Sequence, residues 1–204
     1  MLLGAAENRI LVDIGVTYNH RLFTNSRVNV QYSGEFVPVA LESDPLGLYT
    51  QKQTKPIAET VFSDSSPVVT CTPFTTPYSY INPESGIIYS GTMSITCSGH
   101  RWVMGQAMSP VGFQGNFLPR RRTQPFLDSH GGYRYSSQEI PINGAGSFNF
   151  MFDFGAGVEF HCSNNRPVRV EYRFHHISNH NAAQTNPGID NGLIQFTYCF
   201  GWGR

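Results

Sequence analysis

Val168-Arg169-Val170-Glu171-Tyr172-Arg173-Phe174-His175-His176-Ile177-Ser178 is the stretch that decides the fold. In an extended chain successive side chains point to opposite faces, so Val168, Val170, Tyr172 and Phe174 share one face, and Arg169, Glu171, Arg173 and His175 share the other. The segment before it repeats the pattern, with Phe148, Phe150, Phe152, Phe154, Val158 and Phe160 on one side and Asn149, Asp153, Glu159 and His161 on the other. Ile194, Phe196, Tyr198, Phe200 and Trp202 near the C-terminus, and Ile10, Val12, Ile14, Val16 and Tyr18 near the N-terminus, alternate with polar or small residues in the same way. This period of two predicts seven strands, at 9–22, 26–41, 101–117, 123–136, 147–162, 167–178 and 192–203.

A soluble sandwich would bury the apolar faces and wet the polar ones. The predicted strands run to about 10–16 residues, however, where a globular strand averages about 5–6, and aromatic residues gather toward their ends. Both features suit strands that cross a bilayer at a tilt. A transmembrane barrel turns its apolar face to lipid and packs a polar lumen, which explains ionisable residues such as Glu171 and Arg173 on an otherwise enclosed face. The expected fold is therefore all-β: an antiparallel eight-stranded transmembrane β-barrel with seven strands visible in this chain, residues 1–204 forming one barrel domain.

Composition is consistent with that class. Among 204 residues, 14 Lys+Arg balance 14 Asp+Glu, charged residues reach only 14%, and 15 Phe and 10 Tyr raise the aromatic share to 13%. The neutral balance argues against a nucleic-acid binder, which carries a basic face. No stretch approaches the roughly 20 consecutive apolar residues of a membrane-spanning helix. The four cysteines, Cys71, Cys97, Cys162 and Cys199, show no C-x-x-C spacing and so suggest no zinc site. Cys71 and Cys97 could bridge a long loop in an oxidising compartment, although residue type alone does not fix the pairing.

If the last strand ends at the periplasm, counting backward puts the turns 118–122 and 163–166 at the periplasmic rim and segment 42–100 outside. Strand 9–22 then runs downward from an extracellular start. Met1 is not followed by a cationic region and an apolar region, so one upward strand and a signal peptide are expected to precede it in the complete gene. The alternative is an eighth strand within 86–98, which would change the parity. Segment 42–100, rich in Ser, Thr and Pro, is expected to be a long extracellular loop whose role is not readable from its residues, although loops of that length often serve as a lid or partner contact. Arg120, Arg121 and Arg122 are expected in a solvated periplasmic turn.

The richest polar cluster closes the opening stretch. His176 and Ser178 continue the lipid-facing row of Phe174, where a hydrophilic pair is costly unless it has partners or chemistry to do. Asp190 begins the next strand after a short loop and can lie beside His176. A hydroxyl, an imidazole and a carboxylate are then available as nucleophile, base and orienting acid. The plain alternative is that the strand ends at Phe174, with His176 and Ser178 at headgroup level and Asp190 in a turn, because H-x-S alone is a weak motif. His175 is expected as a packed lumen residue, His180 as a solvated one, and His130 with Asp128 as a lumen hydrogen-bond network.

The run His176-Ile177-Ser178-Asn179, then Asn186-Pro187-Gly188-Ile189-Asp190, then a closing aromatic strand, resembles the signature of the lipid A 3-O-deacylase family (PagL, acyloxyacyl hydrolase-like). Phe154-Gly155-Ala156-Gly157-Val158-Glu159 resembles that family too, as does Ser109-Pro110-Val111-Gly112-Phe113-Gln114 with the arginine run after it. The resemblance covers roughly residues 9–41 and 101–203 and is strongest over 147–200. It implies an eight-stranded barrel in the bacterial outer membrane with a Ser-His-acid triad on its outer wall, hydrolysing the 3-O-linked acyl chain of lipid A. Carried over by residue, it makes Ser178 the nucleophile, His176 the base and Asp190 the acid, with Asn186 and, in support, Asn179 at the oxyanion. Lipid A or lipopolysaccharide is the implied substrate, outer-membrane lipid the surroundings, and no metal or organic cofactor is needed. The family's acid can be Glu, and Asp190 is one methylene shorter, so its loop must sit closer. Two other functions compete: a structural or binding barrel with a vestigial triad, and a soluble lipocalin-like barrel with its apolar face inward. The Asp190 to His176 distance separates the catalytic reading from the vestigial one.

Overall fold

The structure, a computed structural model, describes residues 8–55, 59–161 and 166–200, which form strands and no helix. Seven strands follow one another around a single antiparallel sheet: β1 (Ile10–Thr24), β2 (Val28–Lys55), β5 (Ile88–Phe117), β6 (Thr123–Ser136), β7 (Phe148–Phe160), β8 (Val168–Ser178) and β9 (Ile189–Tyr198). Two more, β3 (Thr60–Pro67) and β4 (Phe74–Ile81), pair with β2 and β5 respectively. All seven strands expected from the alternation are present. The sheet curves as a barrel wall but is not closed, because no ladder joins β1 to β9. Seven alternating strands leave β1 and β9 running the same way, whereas an antiparallel barrel closes on an even number.

The outward face is apolar along every barrel strand. Ile14, Val16, Tyr18, Phe113, Phe152, Phe154, Tyr172, Ile194 and Phe196 all lie half exposed or more, and Phe196 is 75% exposed. Trp102, Tyr135 and Phe148 sit near one end of this face, and Phe117, Phe160 and Tyr198 near the other. Two aromatic girdles flanking an apolar band are how a barrel wall meets the two interfaces of a bilayer.

The inward face carries the charge. Arg173 lies among four carboxylates: Glu35 at 2.7 Å, Glu171 at 2.7 Å, Asp128 at 3.6 Å and Asp153 at 3.8 Å. His175 bonds Asp153, and His130 Nε2 lies 2.9 Å from Ser33 Oγ. Nearer the lower end Arg169 joins Glu159 at 2.5 Å and Gln114 at 2.9 Å. The expected roles of His175, His130 and Asp128 as lumen residues therefore match their placement. Glu35, His130 and Asp153 converge closely enough to hold a cation. The Arg173 guanidinium already supplies that positive charge, bonded to Glu35 and close to Asp153. Arg173→Ala would leave Glu35, Glu171 and Asp128 without their cation and Asp153 with His175 alone, a change that costs about 3–5 kcal/mol when one partner of a buried ion pair is lost. The expected result is a smaller heat-modifiable folded fraction on unheated detergent gels and a lowered thermal midpoint.

Segment 42–100 is not the irregular loop its composition suggests. β2 and β5 run on for 28 and 30 residues, and above the barrel β3 and β4 flank them in the order β3-β2-β5-β4, a second, four-stranded tier. Residues 88–98 belong to β5 and continue into 101–117, so they are not a separate barrel strand. The prolines mislead because they lie within strands: Pro67 and Pro77 sit on β3 and β4, the outer strands of the tier, where proline is best tolerated, and Pro45 within β2 itself. A disulfide joins Cys71, on the β3–β4 connection, to Cys97 of β5. At the base of the tier the fully buried Arg9 side chain bonds Glu42 at 3.1 Å, Asp44, and the Val68 carbonyl at 2.9 Å. Cys162 and Trp202 lie outside the described residues.

Candidate active site on the outer wall

His176 and Ser178 close β8 on its outward face, while the residues between and before them, Ile177 and His175, point inward and are buried. The inward side chain of Ile177 meets its register partner Ile189, also buried, at the upper end of the lumen. Those two apolar anchors fix the ends of β8 and β9 from inside and turn the alternate residues outward. His176 consequently pairs in register with Asp190, and Ser178 with Phe150 of β7.

His176 Nδ1 lies 2.5 Å from Asp190 Oδ1. With the carboxylate accepting, Nδ1 carries the proton and Nε2 is left as the basic nitrogen. The shorter acid reaches the imidazole because Asp190 is its direct cross-strand neighbour. Gly188 closes the other side: a Cβ there would come 3.2 Å from His176 Cε1, so the loop can press against the ring only as glycine or with a small shift. Both His176 and Asp190 remain partly exposed toward the apolar surroundings of the wall.

The β8–β9 loop is organised by Asn179. His180 and Asn181 follow it with φ of 53° and 62°, left-handed conformations that reverse the chain. Asn179 Oδ1 accepts from Asn181 N at 2.9 Å, and its Nδ2 donates to the carbonyls of Ala145 and Thr185, each at 2.6 Å. Its amide is thus committed to the backbone and the side chain is buried. Asn186 is placed differently. Its Oδ1 accepts from Asn179 N at 3.0 Å, which lays the carboxamide against the peptide that follows Ser178 and leaves Nδ2 as the available donor.

Of the five residues expected in the site, His176 and Asp190 are bonded, Ser178 lies two residues along β8 on the same outward face, and Asn186 reaches the peptide that follows Ser178. Asn179 stands beneath them as a loop anchor. The alternation missed the 137–147 loop, whose Ala145 and Gly144 hold Asn179 and Thr185. Hydrogen bonds to backbone carbonyls leave no residue-type signal in a sequence. Two aromatic side chains complete the surface. The Phe150 ring meets His180 edge-on at 6.3 Å, and the Tyr172 ring lies across Gly192, where an added Cβ would come 2.5 Å from its hydroxyl. What the arrangement offers is an acid-imidazole pair and a hydroxyl on a wall of phenyl rings, a setting that suits an acyl chain alongside an ester.

A family model for lipid A 3-O-deacylase (PagL) matches residues 81–198. No curated protein and no solved structure matches the chain. The matched span takes in β5 through β9 with His176, Ser178 and Asp190, and it is more than half of the 204 residues. An all-β wall with outward aromatic residues is the architecture of that family's outer-membrane barrels, and on this match the chain belongs to the lipid A 3-O-deacylase (PagL) family, hydrolases that act on lipid A.

Proposed function

We propose that this chain is a serine esterase of the bacterial outer membrane that hydrolyses the ester at the 3-position of a lipid A glucosamine. The observation that carries the reading is the 2.5 Å contact from His176 to Asp190 beside Ser178, on the face turned to lipid. Ser178 Oγ attacks the acyl carbonyl while His176 Nε2 takes its proton. The tetrahedral intermediate then collapses, the C–O bond to the sugar breaks, and the leaving hydroxyl receives the proton from His176. Water attacks the acyl-serine with the same base, releasing the hydroxy fatty acid and the free serine. Asp190 holds the tautomer and stabilises the imidazolium, and Asn186 Nδ2 donates to the oxyanion. The substrate diffuses laterally in the outer leaflet, with its chains along Phe174 and Tyr172 and its ester level with Ser178.

Mass spectrometry of lipid A from outer membranes carrying the complete protein tests this against protein-free membranes. Loss of one 3-linked hydroxyacyl chain supports the reading. Unchanged lipid A around a folded protein would instead leave a structural barrel with an idle triad. Asn186→Ala is expected to lower kcat by roughly 10²–10³-fold with KM little changed, as for loss of one oxyanion donor.

A further inference from the structure

The tier above the barrel has two unlike faces. In register across β3, β2, β5 and β4 one face carries Phe62, Tyr49, Met93, Ile95, Phe74 and the tyrosines 78, 80 and 89. The other carries Thr50, Ser63, Ser65, Thr92, Ser94, Thr96, Thr75 and Ser79, with the exposed aliphatic side chains of Val61, Ile81 and Ile88 and no aromatic ring among the described residues. No second layer covers the aromatic face: Phe62 is 79% exposed, Tyr80 51% and Phe74 45%. An uncovered apolar face of this extent marks an interaction surface.

Three observations define the partner. First, the β2–β5 ladder shifts by one residue between Leu46 and Gly47, but the extra residue, Ser98, is on β5, so along β2 Tyr49 and Gln51 continue the outward row that includes Ser43, whose β5 partner is Trp102 of the upper girdle. The aromatic face is the lipid-facing wall prolonged beyond headgroup level, with Met93 nine residues past Trp102, about 30 Å along the strand. Second, Tyr78, Tyr80 and Tyr89 form a ladder, with ring centroids 6.3 and 5.2 Å apart and planes within 22° and 9°. Gln51 Nε2 bonds the Tyr78 hydroxyl at 3.0 Å and fixes its end of the ladder. Third, no described lysine or arginine side chain lies on this face. Lys52 is on the opposite one, paired with Glu59 at 2.6 Å.

An aligned row of flat rings with hydroxyl and amide edges, and no cation, fits uncharged pyranose rings and disfavours phosphate-bearing headgroups. We propose that this face is a platform for the neutral saccharide part of lipopolysaccharide, the material standing beside the barrel above the outer leaflet. The placement rests on the outer-membrane reading above. The Cys71–Cys97 disulfide and the β-ladders hold the platform rigid, so little ordering opposes binding.

The test uses the full chain in detergent micelles and, as probe, the neutral outer oligosaccharide of lipopolysaccharide, freed of lipid A and of the acidic, phosphate-bearing inner sugars, with binding followed by calorimetry. The probe contains no ester substrate, so binding is read whether or not lipid A is deacylated. Wild type is expected to bind, and Tyr80→Ser/Tyr89→Ser to bind roughly tenfold more weakly, the scale of losing ring contacts. Heat-modifiable mobility and an intact disulfide report the fold of that variant. Tyr80→Phe/Tyr89→Phe, which keeps the rings, is expected to retain most of the binding and serves should the serine variant fail to fold. Absence of binding by wild type, or equal binding by the serine variant, overturns the proposal. So does self-association of wild type that the serine variant abolishes, since the occupant would then be a second copy of this chain.

Discussion

Outer membranes carrying the Ser178→Ala protein are expected to yield lipid A with every acyl chain in place, under conditions in which wild type removes one. Deleting the nucleophile of a triad lowers kcat by roughly five to six orders of magnitude, leaving only what binding and the oxyanion donor supply. Stability is expected to change little, because Ser178 is on the outward face at the end of β8 and its hydroxyl has no hydrogen bond among those described that the barrel depends on. The folded fraction on unheated gels should therefore match wild type while the lipid A spectrum reverts to the untreated one. Residual deacylation within a hundredfold of wild type would move the nucleophile elsewhere.

Asp190→Asn is expected to lower kcat by about 10⁴-fold with KM near the wild-type value, because the change acts on a proton and not on substrate contacts. The 2.5 Å bond requires Nδ1 to carry hydrogen and Asp190 to accept it. An asparagine can turn its NH₂ toward the ring, which reverses the tautomer and points an N–H at Ser178 in place of a lone pair. Even with its carbonyl toward Nδ1, it lacks the charge that stabilises the imidazolium. Single-turnover deacylation of lipid A in mixed micelles separates this chemical step from binding. Asp190→Glu is expected to retain measurable turnover at reduced kcat, since a direct cross-strand neighbour at 2.5 Å leaves little room for another methylene. Equal KM increases in both variants, with kcat preserved, would assign Asp190 to substrate binding.

Much of this was legible in the sequence because lipid and lumen are so unlike. Phe148 to Phe160 and Val168 to Ser178 alternate phenyl or branched side chains with charge, and the faces fall where that alternation puts them. The same rule set His176 and Ser178 side by side and Asp190 within reach. It failed for 42–100 for a physical reason. Thr50, Gln51, Lys52 and Gln53 follow one another in β2 without an apolar residue, because in this exposed tier pairing is carried by backbone hydrogen bonds and the rings of the aromatic face come from the neighbouring strands. Asn179 was misplaced in role for a related reason. An asparagine that donates to water, to an oxyanion or to the carbonyls of Ala145 and Thr185 reads the same in a sequence, and only the 137–147 loop decides among them.

Arg9 has a consequence for how the molecule comes apart. Its guanidinium holds Glu42 and Asp44 of the wall and, through Val68 O, the first residue after the tier's outer strand. The tier is therefore no detachable ornament. Excising 46–97 to obtain a minimal barrel would strip a carbonyl partner from a fully buried cation and remove the continuation of β2 and β5 in the same cut. With one buried cation and two strands shared between wall and tier, unfolding of the intact oxidised chain is expected to proceed in a single melting step, with no separate loss of the upper strands at lower temperature.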